Sequence, residues 1–142
     1  MAIESLKKPF LFGADASSGT CLPSGEPVSE LANFVHHPQL MGVILSCVSP
    51  ENAVLNSHQL ARLGVPFGVK MNAFKQVYPG YAKDFRLCQS GNPVDILGHR
   101  EDLTPSYFAD VAKRFLDLGA TIIGGCCETT PEHTRYLKKK VE

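Results

Sequence analysis

Three cysteines carry the clearest chemistry in the chain: Cys126 and Cys127, adjacent and preceded by Gly124-Gly125, and Cys47, eighty residues earlier. Zinc favours thiolate ligands in tetrahedral geometry, and a catalytic zinc keeps three protein ligands and one open position. Three cysteines therefore leave room for a substrate thiol. A free thiol ionises only near pH 8.5, whereas a coordinated one is deprotonated outright. With three thiolates already on the metal, electron density stays high and an incoming sulfur remains nucleophilic. The reaction this pattern suits is alkylation of sulfur, most naturally methyl transfer.

Other readings use the same residues. Cysteine is often buried as a small hydrophobe, and Cys47 alone has no motif against that reading. A Gly-Gly loop before a helix can hold phosphate, although no Walker or dinucleotide glycine pattern accompanies it. Cys126 and Cys127 could instead form a vicinal disulfide in a thiol redox protein. His133 reads as a first-turn helix residue, with a fourth metal ligand as the alternative. Cys21 and Cys88 fall in expected loops and stay unassigned, and His36, His37, His58 and His99 lack ligand-like spacing.

The elements that must position these residues are legible from pattern. Short, nearly continuous apolar runs at Pro9 to Ala14, Gly42 to Ser46, Pro66 to Lys70 and Ala120 to Ile123 read as strands buried on both faces, as in parallel sheets. Helical spacing links Val28, Leu31, Ala32 and Val35; then Ala53, Val54, Leu60, Ala61 and Leu63; then Phe108, Val111, Ala112, Phe115 and Leu116. A last helix is expected from Pro131 to Val141. Pro50, Pro105 and Pro131 each follow a Ser or Thr, the pattern of an N-cap with proline at the first helical position. Gly64 and Gly119 supply C-terminal stops. The chain thus reads βα four times, with one long insertion, Asn72 to Leu103, after the third strand.

Alternating elements of this kind imply an α/β fold with a parallel sheet and right-handed crossovers. The expectation is a single domain over residues 1–142, either a small open sheet or about half of a TIM (β/α)8 barrel, since a complete barrel takes about 250 residues. An isolated half barrel exposes two strand edges and an inner face, so self-association or pairing with a missing N-terminal half is expected. Asp15, Cys47, Asn72 and the Cys126-Cys127 pair all fall just past the carboxyl ends of these strands. Active sites of parallel βα folds are built on that edge.

Composition narrows the setting. Of 142 residues, 44% are hydrophobic and 20% charged, which is ordinary for a globular domain. Fourteen Lys plus Arg balance fourteen Asp plus Glu, so no net field recommends nucleic acid or an anionic membrane as partner. The basic run Lys138-Lys139-Lys140 ends the last helix, where cations complement the helix dipole. Met1 to Lys8 has no apolar core of signal-peptide length, and no run approaches the roughly 20 apolar residues of a membrane span. A cytoplasmic location is the expectation, and there five cysteines stay reduced, which ranks metal binding above a disulfide framework.

The stretch Gly124-Gly125-Cys126-Cys127-x-Thr129-Thr130-Pro131-Glu132-His133 resembles the signature of the homocysteine S-methyltransferases. The strand before Cys47, with Ser49-Pro50-Glu51 after it, and Val69-Lys70-Met71-Asn72-Ala73, similar to the family's Pro-Asn-Ala strand end, fall in the expected order. Ser24-Gly25-Glu26-Pro27 resembles the loop after the fifth barrel strand. Ser46 stands where the family commonly has Asn, and Glu128 where it usually has Gly. The resemblance covers the C-terminal half of the family's barrel. It implies zinc held by Cys47, Cys126 and Cys127, substrate contact at Asn72, and transfer of a methyl group to homocysteine to give methionine. Donors across the family include S-methylmethionine, S-adenosylmethionine, betaine and methyltetrahydrofolate. The alternative is a truncated or divergent copy that binds zinc, or serves as an assembly partner, without catalysis.

Overall fold

The computed structural model describes residues 7–16, 19–77 and 91–142. Strands β1 (Phe10–Ala14), β2 (Leu40–Val48), β3 (Phe67–Met71) and β4 (Ile122–Gly125) form one sheet in the order β1-β2-β3-β4, every neighbouring pair parallel. A 3-10 helix (Val28–Phe34) follows β1, α1 (Pro50–Ala61) follows β2, α2 (Val94–Leu97) and α3 (Pro105–Asp117) follow β3, and α4 (Pro131–Val141) follows β4. Because all strands run the same way, their carboxyl ends share one edge of the sheet. This is the α/β architecture expected from the alternating pattern.

One side of the sheet carries the core. Val43, Leu45 and Val48 of β2 and Phe67, Val69 and Met71 of β3 pack against Leu60 of α1 and Phe108, Val111, Ala112 and Phe115 of α3. The α3 residues recur at the spacing of one helix face, and Phe108 and Phe115 are fully buried. Burying each such side chain contributes about 1.5–3 kcal/mol, which makes this layer the anchor of the site edge.

Helix boundaries follow the capping chemistry. Ser49 Oγ accepts from the Asn52 N–H at 3.2 Å, and Thr104 Oγ1 from the Tyr107 N–H at 3.2 Å, each with proline at the helix start. Gly64 and Gly119 adopt φ of +73° and +89°, a left-handed stop that a side chain would resist.

Four expectations change. The pattern at Val28, Leu31, Ala32 and Val35 forms a 3-10 helix, because only Val28 and Leu31 within it are buried and residues three apart eclipse in that geometry. Strand β2 is longer at both ends than Gly42 to Ser46: Leu40 pairs with Phe10, and Val48 pairs with Met71 past an irregular step. Strand β4 starts later, since the Ala120 N–H closes α3 on the Phe115 carbonyl. Gly124 and Gly125 then lie inside β4, opposite Lys70 and Met71, instead of following it.

The insertion Asn72 to Leu103 is tied down at its described parts. The Arg100 N–H donates to the Ala73 carbonyl at 2.8 Å, and the Arg100 guanidinium holds Glu51 of α1 at 2.7 Å and Asp102 at 2.6 Å. Cys88 lies outside the described residues. Among the described residues no helix is long and apolar enough to cross a membrane.

Candidate metal centre

Strands β2 and β4 are not neighbours, yet their cysteines meet over the end of β3. Between Ser46↔Lys70 and Val48↔Met71 the ladder skips a residue, and Cys47 is the one left over. It takes φ +57°, a conformation costing a non-glycine residue about 1–2 kcal/mol. A bulge of this kind re-aims a side chain that regular alternation would fix. Cys47 therefore belongs to β2 itself, not to the loop after it.

The cysteine pair is pinned to β3 by its backbone. The Cys126 N–H donates to the Met71 carbonyl at 2.8 Å, and the Cys127 carbonyl accepts from the Ala73 N–H at 2.9 Å. The chain then turns tightly: the Thr129 N–H and hydroxyl both donate to the Cys126 carbonyl, at 3.2 and 2.7 Å, with Glu128 at φ +62°. Any side chain at Gly125 would collide with Thr129, so glycine is required where the strand enters this turn.

The result is three sulfurs all within 4.8 Å of one another. Cys47 Sγ lies 3.6 Å from Cys127 Sγ, and Cys126 Sγ lies 3.9 Å from Cys127 Sγ. A tetrahedral zinc with Zn–S near 2.3 Å separates its thiolates by about 3.8 Å. The donor set and its spacing thus fit a metal ion with little rearrangement, and the three cysteines could hold one.

The three thiols ionise unequally. The Cys47 thiol beside it pulls the Cys126 thiol down to about 5 against the cost of its burial, helped by the Cys127 N–H and by the charge of Lys70. Cys47 moves the other way, raised by the nearness of Cys126, by burial and by the neighbouring charge. Cys127 is also raised, chiefly by burial.

Asn72 is fully buried beside Cys47. Its Nδ2 donates to the Cys47 carbonyl at 2.6 Å and lies 3.8 Å from the Cys47 sulfur, while its Oδ1 accepts from the Phe74 N–H at 3.0 Å. His133 is a structural residue: Nδ1 accepts from the Thr130 N–H at 3.1 Å, Nε2 meets the Leu103 carbonyl at 2.8 Å, and the ring stands edge-on to Phe108. Asp15 lines a separate cavity of about 490 Å³ beside β1, with none of the three cysteines in its wall. Lys70 was not singled out from sequence, although a lone lysine in an otherwise apolar strand was the available signal.

A profile of the homocysteine S-methyltransferase family matches residues 1–141. The chain belongs to the homocysteine S-methyltransferase family. It is similar to homocysteine S-methyltransferase 1 of Zea mays, 27% identical over 140 residues that cover 96% of this chain and 39% of the relative. The like-named protein of Saccharomyces cerevisiae is 26% identical over 147 residues, covering 96% and 40%. The chain therefore spans about two fifths of the length of the curated relatives it matches. In fold it resembles the crystal structure of the homocysteine methyltransferase MmuM from Escherichia coli in its oxidised form, with a TM-score of 0.55 at 22% identity over 86% of this chain and 32% of that one.

Proposed function

We propose that this chain supplies the thiol-activating part of a zinc-dependent transfer of a methyl group to homocysteine, giving methionine, with S-methylmethionine or S-adenosylmethionine as donor. The observation that carries the proposal is the three-cysteine cluster at the carboxyl edge of a parallel sheet, in a chain of this family. When bound, zinc supplies the acidity that keeps a substrate thiol ionised at neutral pH. Cys47, Cys126 and Cys127 are the ligands. The bulge at Cys47 and the turn at Glu128 aim the three sulfurs at one point, and Lys70 offsets part of their charge. A cytoplasmic setting, where thiols stay reduced, suits the site.

The sheet reads as about half of a (β/α)8 barrel. Along one register row, Gly13, Ile44, Gly68 and Ile122 alternate small and bulky from strand to strand. A barrel interior likewise takes each layer from alternate strands. Among the described residues neither β1 nor β4 pairs on its outer side, and the cavity beside β1 is walled by Phe12, Leu22, Leu31 and Phe34. Both features support a fold completed by further βα units, from a second copy or an N-terminal half.

Glu128, which places a carboxylate next to Cys127 where the family usually has glycine, favours a second reading, a zinc-binding half barrel without catalysis. Methionine formation from homocysteine and S-methylmethionine, followed by mass spectrometry for the chain alone and with the N-terminal half of a relative, separates the two. Turnover that disappears in Cys127→Ser supports methyl transfer. No methionine under either condition leaves the non-catalytic reading.

A further inference from the structure

We infer that Asn72 is a positioning residue, which holds Cys47 in its left-handed conformation and so assembles the three-sulfur cluster, and is not a contact for substrate. The inference rests on the metal-site reading only for its consequence in zinc affinity. Its geometric part stands on the chain's own hydrogen bonds.

Cys47 is the extra residue of an irregular step in β2, at φ +57°. Nothing in its side chain favours that conformation, as the short polar group of Asn or Asp would. The restraint comes from β3. The Asn72 N–H donates to the Val48 carbonyl at 2.9 Å, and Asn72 Nδ2 donates to the Cys47 carbonyl at 2.6 Å. One residue thus grips the two carbonyls that flank Val48, and the first of them is that of Cys47. The orientation of the amide is fixed by its partners, since Oδ1 accepts from the Phe74 N–H and only Nδ2 can donate to a carbonyl.

Each end of the amide holds a backbone partner and the residue is fully buried, so the Asn72 side chain is turned to the chain and away from solvent. Its remaining contact is with the Cys47 sulfur itself, 3.8 Å from Nδ2. Released from this grip, Cys47 returns to the extended region, where alternation along the strand turns its side chain away from Cys127.

The test uses the full 142-residue chain with Asn72→Asp, which keeps shape and the bond from Phe74 but sets a carboxylate oxygen against the Cys47 carbonyl, and with the milder Asn72→Ser. Zinc affinity is read by competition with a chromophoric chelator, and the cobalt-substituted protein by its thiolate-to-metal charge-transfer band. Metal-free protein is treated with a trivalent arsenical that bridges close thiols, and the linked peptides are identified by mass spectrometry. Asn56→Ala removes an equally buried amide, whose Nδ2 donates to the Gly19 and Asn52 carbonyls and to no cysteine.

The expected result is a loss in zinc affinity of about 10- to 100-fold in both Asn72 variants, a weakened cobalt band, and loss of the arsenical link between the Cys47 and Cys126-Cys127 peptides. Asn56→Ala should lower thermal stability and move none of these. Unchanged affinity and an intact link in the Asn72 variants overturn the inference. A parent that binds no zinc but forms the link, with the link lost in Asn72→Asp, upholds the positioning role while removing the metal-site reading.

Discussion

The sulfurs of Cys47 and Cys127 lie 3.6 Å apart although β3 separates the strands that carry them. The cluster arches over the end of β3, and that strand end serves as its template: Met71 and Ala73 fix the backbone of the cysteine pair, and Asn72 fixes Cys47. Two positive-φ residues, Cys47 and Glu128, mark where the chain departs from regular geometry to let this happen.

Glu128 sits at φ +62° and makes a 3.5 Å pair with a half-exposed His99. Glycine adopts that conformation freely at some cost in unfolded-chain entropy, and an exposed ion pair contributes little. Glu128→Gly should therefore stabilise the chain by up to about 1 kcal/mol, a rise in Tm of about 3 °C by calorimetry. A clear fall in Tm would mean that the His99 contact outweighs the strain.

Alkylation of the metal-free protein should single out Cys126. Its thiol is held down to about 5, while those of Cys47 and Cys127 are raised. The thiolate is the nucleophile, so the iodoacetamide rate at Cys126 should stay level from neutrality towards pH 5 and drop about tenfold per unit below it. Peptide mass spectrometry across that range checks the order. Equal rates at the three cysteines near pH 6 would contradict it.

Arg100 joins the long β3–α3 insertion to α1. Burial works against the Glu51 carboxylate, but Arg100 outweighs it and holds Glu51 below its usual value, and its bonds hold Asp102 low as well. Carboxylates depressed in the folded state add stability above their unfolded values, near pH 4, and lose it as pH falls through the lower folded values. Because Glu51 is half exposed, Arg100→Ala should cost only about 1 kcal/mol at neutral pH. Denaturant titrations should also find a shallower loss of stability below pH 4 in the variant than in the parent.

Much of this was legible in the sequence because its signals are local. Ser49-Pro50 and Thr104-Pro105 announce helix starts whatever surrounds them, and buried parallel strands read as short apolar runs. The three cysteines could be named for their chemistry. What was hidden depends on pairing between distant segments. The skipped residue at Cys47 exists only because β2 and β3 fall out of step, and the Asn72 amide finds its partner in a carbonyl 25 residues earlier in the chain. The 3-10 helix at Val28–Phe34 escaped because a stripe of spacing three fits both helix types until burial distinguishes them.

In the function proposed above, Cys47, Cys126 and Cys127 together hold zinc. Elemental mass spectrometry on reduced, purified protein should find about one zinc per chain in the parent and little in Cys126→Ser, with circular dichroism unchanged between them. A folded parent without zinc, or a Cys126→Ser variant that keeps the parent's content, would mean that these three cysteines are not its ligands.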